Sequence, residues 1–67
     1  MDFHVTIKER RSLLGLTQQD LADYSGVSLR IIKSIEAGTA NPSIGTLTKI
    51  AEALGLEICM TVKGVNK

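Results

Sequence analysis

Arg30 and Lys33 stand three residues apart in the stretch 17–38, TQQDLADYSGVSLRIIKSIEAG, and a helical period puts them on one face. The guanidinium of Arg30 can grip O6 and N7 of guanine with two hydrogen bonds, and the ammonium of Lys33 can take a guanine or a phosphate oxygen. Ser28, Leu29 and Ser34 lie beside them, Leu29 being apolar enough to meet a thymine methyl. The competing reading is a solvated face of the kind any surface helix carries. Other chemistry has little to work with. His4 is the single histidine and Cys59 the single cysteine, so neither a metal cluster nor a disulfide can be assembled. There is no Gly-rich phosphate loop and no nucleophile with a base at recognisable spacing. No catalytic, cofactor-binding or metal-binding residue is expected, and Cys59 reads as a small packing residue.

The elements that carry these residues follow from caps and periodicity. Thr17 with Asp20 three residues on has the capping-box arrangement, opening a helix whose apolar stripe is Leu21 and Ala22, with Tyr24 near its end. Gly26 supplies a residue able to adopt positive φ at a sharp turn, Val27 can pack into the corner, and Ser28 caps a second helix. With Ile32 and Ile35 inward, a rotation of about 100° per residue sends Arg30, Lys33, Ser34 and Ala37 outward and leaves Leu29 and Ile31 on the flanks. Ala22 is small enough for a close helix crossing. Two short helices so joined make a helix-turn-helix, whose second helix enters the DNA major groove.

Around this motif, Thr6 and Glu9 suggest another capping box and a first helix from near Ile7 to Leu14, closed by Gly15, with an earlier start left open. Thr39–Pro42 reads as a loop, and Ser43 caps a further helix running to Leu54 with Ile44, Leu47, Ile50, Ala51 and Leu54 at helical spacing. Gly55 stops it. From Leu56 to Lys63 the period changes to two: Leu56, Ile58, Met60 and Val62 alternate with polar or small residues, a half-buried strand pattern. A lone strand cannot satisfy its own backbone, so the simplest partner is the same segment of a second copy, paired antiparallel; a frayed tail is the alternative. The expectation is one domain over 1–67, with a core at about 5–55, a dimerisation strand at about 56–63 and a flexible tail at 64–67.

Charge alone decides little. Eight Lys and Arg face seven Asp and Glu, a formal net charge of +1, well short of the basic excess typical of nucleic-acid binders. Lys8, Arg10 and Arg11 cluster in the first helix. Arg11 falls on the inward stripe between Ile7 and Leu14, and Glu36, four residues after Ile32, also points inward. Two opposite charges aimed at one core are expected to pair, because an unpaired buried charge is very costly; the alternative is that one or both reach out to solvent.

The chain resembles the Cro/CI-type (XRE-like) helix-turn-helix family over about residues 5–56. The resemblance is carried by Arg11, Gly15-Leu16-Thr17-Gln18, Leu21-Ala22, Gly26-Val27-Ser28, Ile32, Ile35-Glu36, Gly38, Pro42-Ser43, Leu47, Ile50-Ala51 and Leu54-Gly55. It implies an all-α, four-to-five-helix, lambda-repressor-like domain. It also implies that Thr17 and Gln18 lie at the backbone, Gln18 contacting a phosphate and buttressing the recognition helix. Ser28, Leu29, Arg30, Lys33 and Ser34 would face bases or nearby phosphates, Thr39, Asn41 and Ser43 would touch the backbone from the far side, and Arg11 would pair with Glu36. Leu29 and Ile31 depart from the pattern, standing where such proteins often carry a polar and a small hydroxyl residue. That greasier helix is also compatible with a protein contact.

The ending Leu-Gly-Leu-Glu running into a strand is similar to HipB-type antitoxins, in which a C-terminal strand from each subunit forms a small shared sheet. The resemblance implies a homodimeric repressor on a palindromic operator of double-stranded DNA, autoregulatory and antitoxin-like, with a kinase-like toxin as a further partner. The alternative is an interaction module whose main task is neutralising that toxin, and an orphan regulator fits equally. No apolar run approaches the ~18 residues of a membrane span and nothing at the N-terminus reads as a signal peptide. A cytoplasmic protein with no cofactor and no membrane partner is expected.

Overall fold

Four helices make up the computed structural model, which describes residues 3–59: α1 Phe3–Leu13, α2 Gln18–Ser25, α3 Leu29–Glu36 and α4 Ile44–Leu54. Three of them begin where a hydroxyl waits at the cap. Thr17 accepts from the Asp20 backbone N–H while the Asp20 carboxylate accepts from the Thr17 N–H, both at 2.9 Å. Ser28 and Ser43 cap α3 and α4 through the N–H groups of Ile31 and Thr46. Each cap satisfies donors that the first turn leaves orphaned and contributes about 1 kcal/mol.

The first helix departs from the sequence expectation. It begins at Phe3, and Thr6 lies inside it rather than at its cap. A local capping box would give up the backbone bonds of the preceding turn, and the longer helix carries the exposed Phe3 to a groove that it lines with Ile7, Leu47, Ala51 and Leu56. The helix also stops at Leu13, so Leu14 leaves the inward stripe and is exposed, and His4 sits in the first helical turn with its imidazole beside Gly38.

α2 packs on α3 and α4, and α1 packs on the same two helices. Leu21, Ile32, Ile35, Ile50 and Leu54 are fully buried at the centre, joined by Ile7, Ala22 and Val27. Each large aliphatic side chain so buried contributes roughly 1.5–3 kcal/mol. Two residues assigned to apolar stripes by spacing lie outside. Tyr24 is exposed on the last turn of α2, and Ile44, the first residue of α4, stands one turn beyond the reach of the core.

Past α4 the backbone does not continue as a strand among the described residues. Gly55 adopts φ 70°, and the Leu56 N–H returns to the Ala51 carbonyl at 2.8 Å. That closure is a Schellman turn, which draws the Leu56 side chain back onto the core instead of into an extended ladder. The expected strand therefore has no counterpart over 56–59. A single chain offers no facing strand to take up its backbone groups. Residues 60–63 of that expectation, including Met60 and Val62, lie outside the described residues, as does the tail at 64–67.

Candidate nucleic-acid interface

The outward face of α3 is defined by what its inward face buries. Ile32 and Ile35 are wholly enclosed, and Leu29 and Ile31 are half-buried flanks packed against the core. Arg30 and Lys33 remain exposed, and neither makes an ion pair with a described residue. Ser34, the residue after Lys33, is half-buried, its carbonyl accepting from both the backbone N–H and the hydroxyl of Thr39 at 3.0 and 3.2 Å. The helix thus offers two exposed cations that no described carboxylate pairs.

Its far end is pinned by a buried carboxylate. Arg11 of α1 donates from Nε to Glu36 Oε2 at 2.7 Å and from Nη2 to Oε1 at 2.9 Å, a fork that fits two oxygens at once. The third branch, Nη1, donates to the Leu16 carbonyl at 2.7 Å, and Gln18 of α2 donates to Glu36 Oε1 at 3.1 Å. Burial pushes the Glu36 carboxyl upward, but the hydrogen bonds from Arg11 and Gln18, with the charges of Arg11 and Lys8, outweigh it. The group sits below the ordinary carboxylate range. The hydrogen bond to Glu36 in turn raises Arg11. One carboxylate therefore ties α1 and the start of α2 to the C-terminal end of α3, setting the angle at which α3 projects.

The remaining candidates ring this helix. Thr17, Ser28 and Ser43 are exposed caps. A capping hydroxyl that accepts from the backbone keeps its own proton to donate; Ser43 spends that proton on Thr46 Oγ1 at 3.1 Å, and Thr39 spends its own on Ser34. Asn41 is exposed in the α3–α4 loop. Arg10, grouped by sequence with the basic residues of the first helix, is committed elsewhere: its Nε donates to the Leu54 carbonyl at 2.9 Å, closing the end of α4. Lys49 escaped the sequence reading. It stands on α4 beside Asn41, Ser43 and Thr46, and its spacing of three from Thr46 was the available signal.

Of the four residues expected at a dimer interface, Leu56 is half-buried in its own chain's core and Ile58 is exposed, followed by exposed Cys59. Met60 and Val62 lie outside the described residues. Among the described residues no three of His, Cys, Asp and Glu gather into a group that could hold a metal ion. No described helix is long and apolar enough to cross a membrane.

Residues 7–59 match the model of the helix-turn-helix family. An uncharacterised HTH-type transcriptional regulator of Methanothermobacter thermautotrophicus is 45% identical over 51 residues, 76% of this chain and 74% of that protein. The SPbeta prophage-derived uncharacterised HTH-type regulator YonR of Bacillus subtilis is 33% identical over 96% of this chain and 59% of its own length. The cryptic phage CTXphi transcriptional repressor RstR of Vibrio cholerae is 41% identical over 78% of this chain and 50% of its own length. The chain thus spans between half and three quarters of these relatives. No solved structure gives a significant match.

Proposed function

We propose that this chain, which belongs to the XRE-type helix-turn-helix family of DNA-binding transcriptional regulators, is a sequence-specific repressor that acts as a homodimer on a palindromic operator. The observation that carries the reading is the outward face of α3. Arg30 and Lys33 are exposed there and paired with no described carboxylate, while Glu36 anchors the same helix to Arg11 and Gln18. Arg30 reads guanine, Lys33 takes a guanine or a phosphate, and Ser28, Leu29 and Ser34 border them. Thr17, Gln18, Thr39, Asn41 and Ser43 meet the sugar-phosphate backbone on either side. Repression follows from occupying the promoter and involves no bond making by the protein.

Two copies related by a two-fold axis would present their α3 helices to half-sites about 34–36 Å apart. Residues 56–63 serve as the joining segment. The exposed Ile58 and the absence of a ladder over 57–59 support that role, since antiparallel pairing with a second copy would cover both. The antitoxin reading rests on the same segment, with a kinase-like toxin as the further partner in the cytoplasm.

The test is a gel-shift titration against DNA from immediately upstream of the chain's own gene, at two salt concentrations. Specific retardation that weakens with salt is the expected result. Equal binding to random DNA would overturn sequence-specific repression and point to a protein partner at Leu29 and Ile31.

A further inference from the structure

We infer that Lys49 is a backbone-gripping residue that holds the DNA phosphate beside the N-terminal half of α3, an inference that rests on the DNA reading given above. A groove of about 450 Å³ lies between the α2–α3 turn with the opening of α3 and the α3–α4 loop with the first half of α4. One wall is Gly26, Val27 and Ile31, from the turn and the opening of α3; the other is Asn41, Pro42 and Ser43 with Thr46 and Lys49 of α4. The groove therefore opens beside the end of the recognition helix that approaches the bases.

Lys49 is exposed and makes no ion pair with a described carboxylate, Glu52 on the next turn of α4 included. Its neighbours along the groove, Asn41, Ser43 and Thr46, are uncharged and polar. An ammonium without a described counter-ion, lining a groove beside three uncharged polar side chains and opposite the apolar Val27 and Ile31, is suited to an anion arriving from solvent. The anion that a duplex seated on α3 brings to this edge is a backbone phosphate. Arg10 and Arg11 cannot serve, because both are bound within the protein, which leaves Lys49 as the described cation on this wall. Lysine acts as a point charge on a flexible stem, so the contact fixes position and carries no base preference.

The experiment compares wild type, Lys49→Ala and Lys49→Arg. Each is titrated by fluorescence anisotropy, over a series of salt concentrations, against the best duplex recovered from a randomised pool and against a random duplex. For Lys49→Ala the expected result is an equal proportional loss of affinity on both duplexes. The slope of log affinity against log salt should be shallower by about 0.9, one phosphate's share. Lys49→Arg restores the slope. Wild-type binding with an unchanged slope in Lys49→Ala overturns this inference alone, as does a loss confined to the selected duplex. A wild type that binds neither duplex overturns the DNA reading beneath it.

Discussion

Glu36, the last residue of α3, holds Arg11 of α1 through two hydrogen bonds of 2.7 and 2.9 Å, and only 3% of its side chain meets solvent. The pair spans 25 residues of sequence, so it reports tertiary packing and not a local turn. Gln18 shares the same carboxylate, so the two helices of the motif are locked to each other and to α1 at one point.

Removing either partner should be severe. Glu36→Ala leaves a partly buried guanidinium without its counter-charge, and Arg11→Ala leaves a buried carboxylate. Breaking such a pair costs about 3–5 kcal/mol, a large part of a small domain's stability. Urea denaturation of the single variants checks this, and a Glu36→Gln protein as stable as wild type would refute the pairing's weight.

Acid should act through the same group. Glu36 is held below the ordinary carboxylate range in the folded protein, so its stabilisation is complete above the unfolded value. It is lost as pH falls through the depressed folded value. Arg11 keeps its proton throughout. Denaturation midpoints measured from neutral pH downward should therefore fall more steeply in wild type than in Glu36→Gln; parallel profiles would count against the linkage.

Arg30→Ala and Lys33→Ala should bind DNA more weakly without losing fold, since both side chains are exposed and unpaired with any described residue. For Arg30 the expected loss is about 1–3 kcal/mol with relaxed preference at one base pair. Competition titrations with single-base variants of the preferred duplex read this out, beside circular dichroism for fold. Unchanged affinity and preference in both variants would mean that α3 does not dock as proposed.

Ile58→Asp should convert a dimer to a monomer and weaken binding to a palindrome more than to a single half-site. Ile58 is exposed in the single chain, so the substitution leaves the core of the domain in place. Sedimentation velocity across micromolar concentrations decides the point. A variant that stays a tight dimer would exclude pairing through this segment.

Gly26→Ala isolates backbone strain. Gly26 has φ 75°, and a Cβ there would meet nothing within 4 Å, so no clash complicates the result. The expected cost is about 1–2 kcal/mol from forcing a left-handed conformation on a residue with a side chain. Thermal denaturation measures it, and an unchanged midpoint would contradict the turn geometry.

Much of this protein is local, and so its sequence carries it. Thr17, Ser28 and Ser43 announce three helix starts because a capping hydroxyl bonds a backbone N–H two or three residues away. Ile32 and Ile35 mark the buried side of α3, which in turn exposes Arg30 and Lys33, because 3.6 residues per turn is a property of the backbone itself. Tertiary structure decided what distant groups compete for. α1 runs back past the cap signal at Thr6 to Phe3, and the Leu54 carbonyl took Arg10 out of the basic surface. It set Lys49 across a groove from α3, and it left residues 56–59 without a ladder, since a strand exists only where another backbone lies alongside it. Caps and periods act within a turn or two of chain, whereas the surroundings of Arg10, Lys49 and Leu56 are fixed only when the helices have closed around Leu21, Ile35 and Ile50.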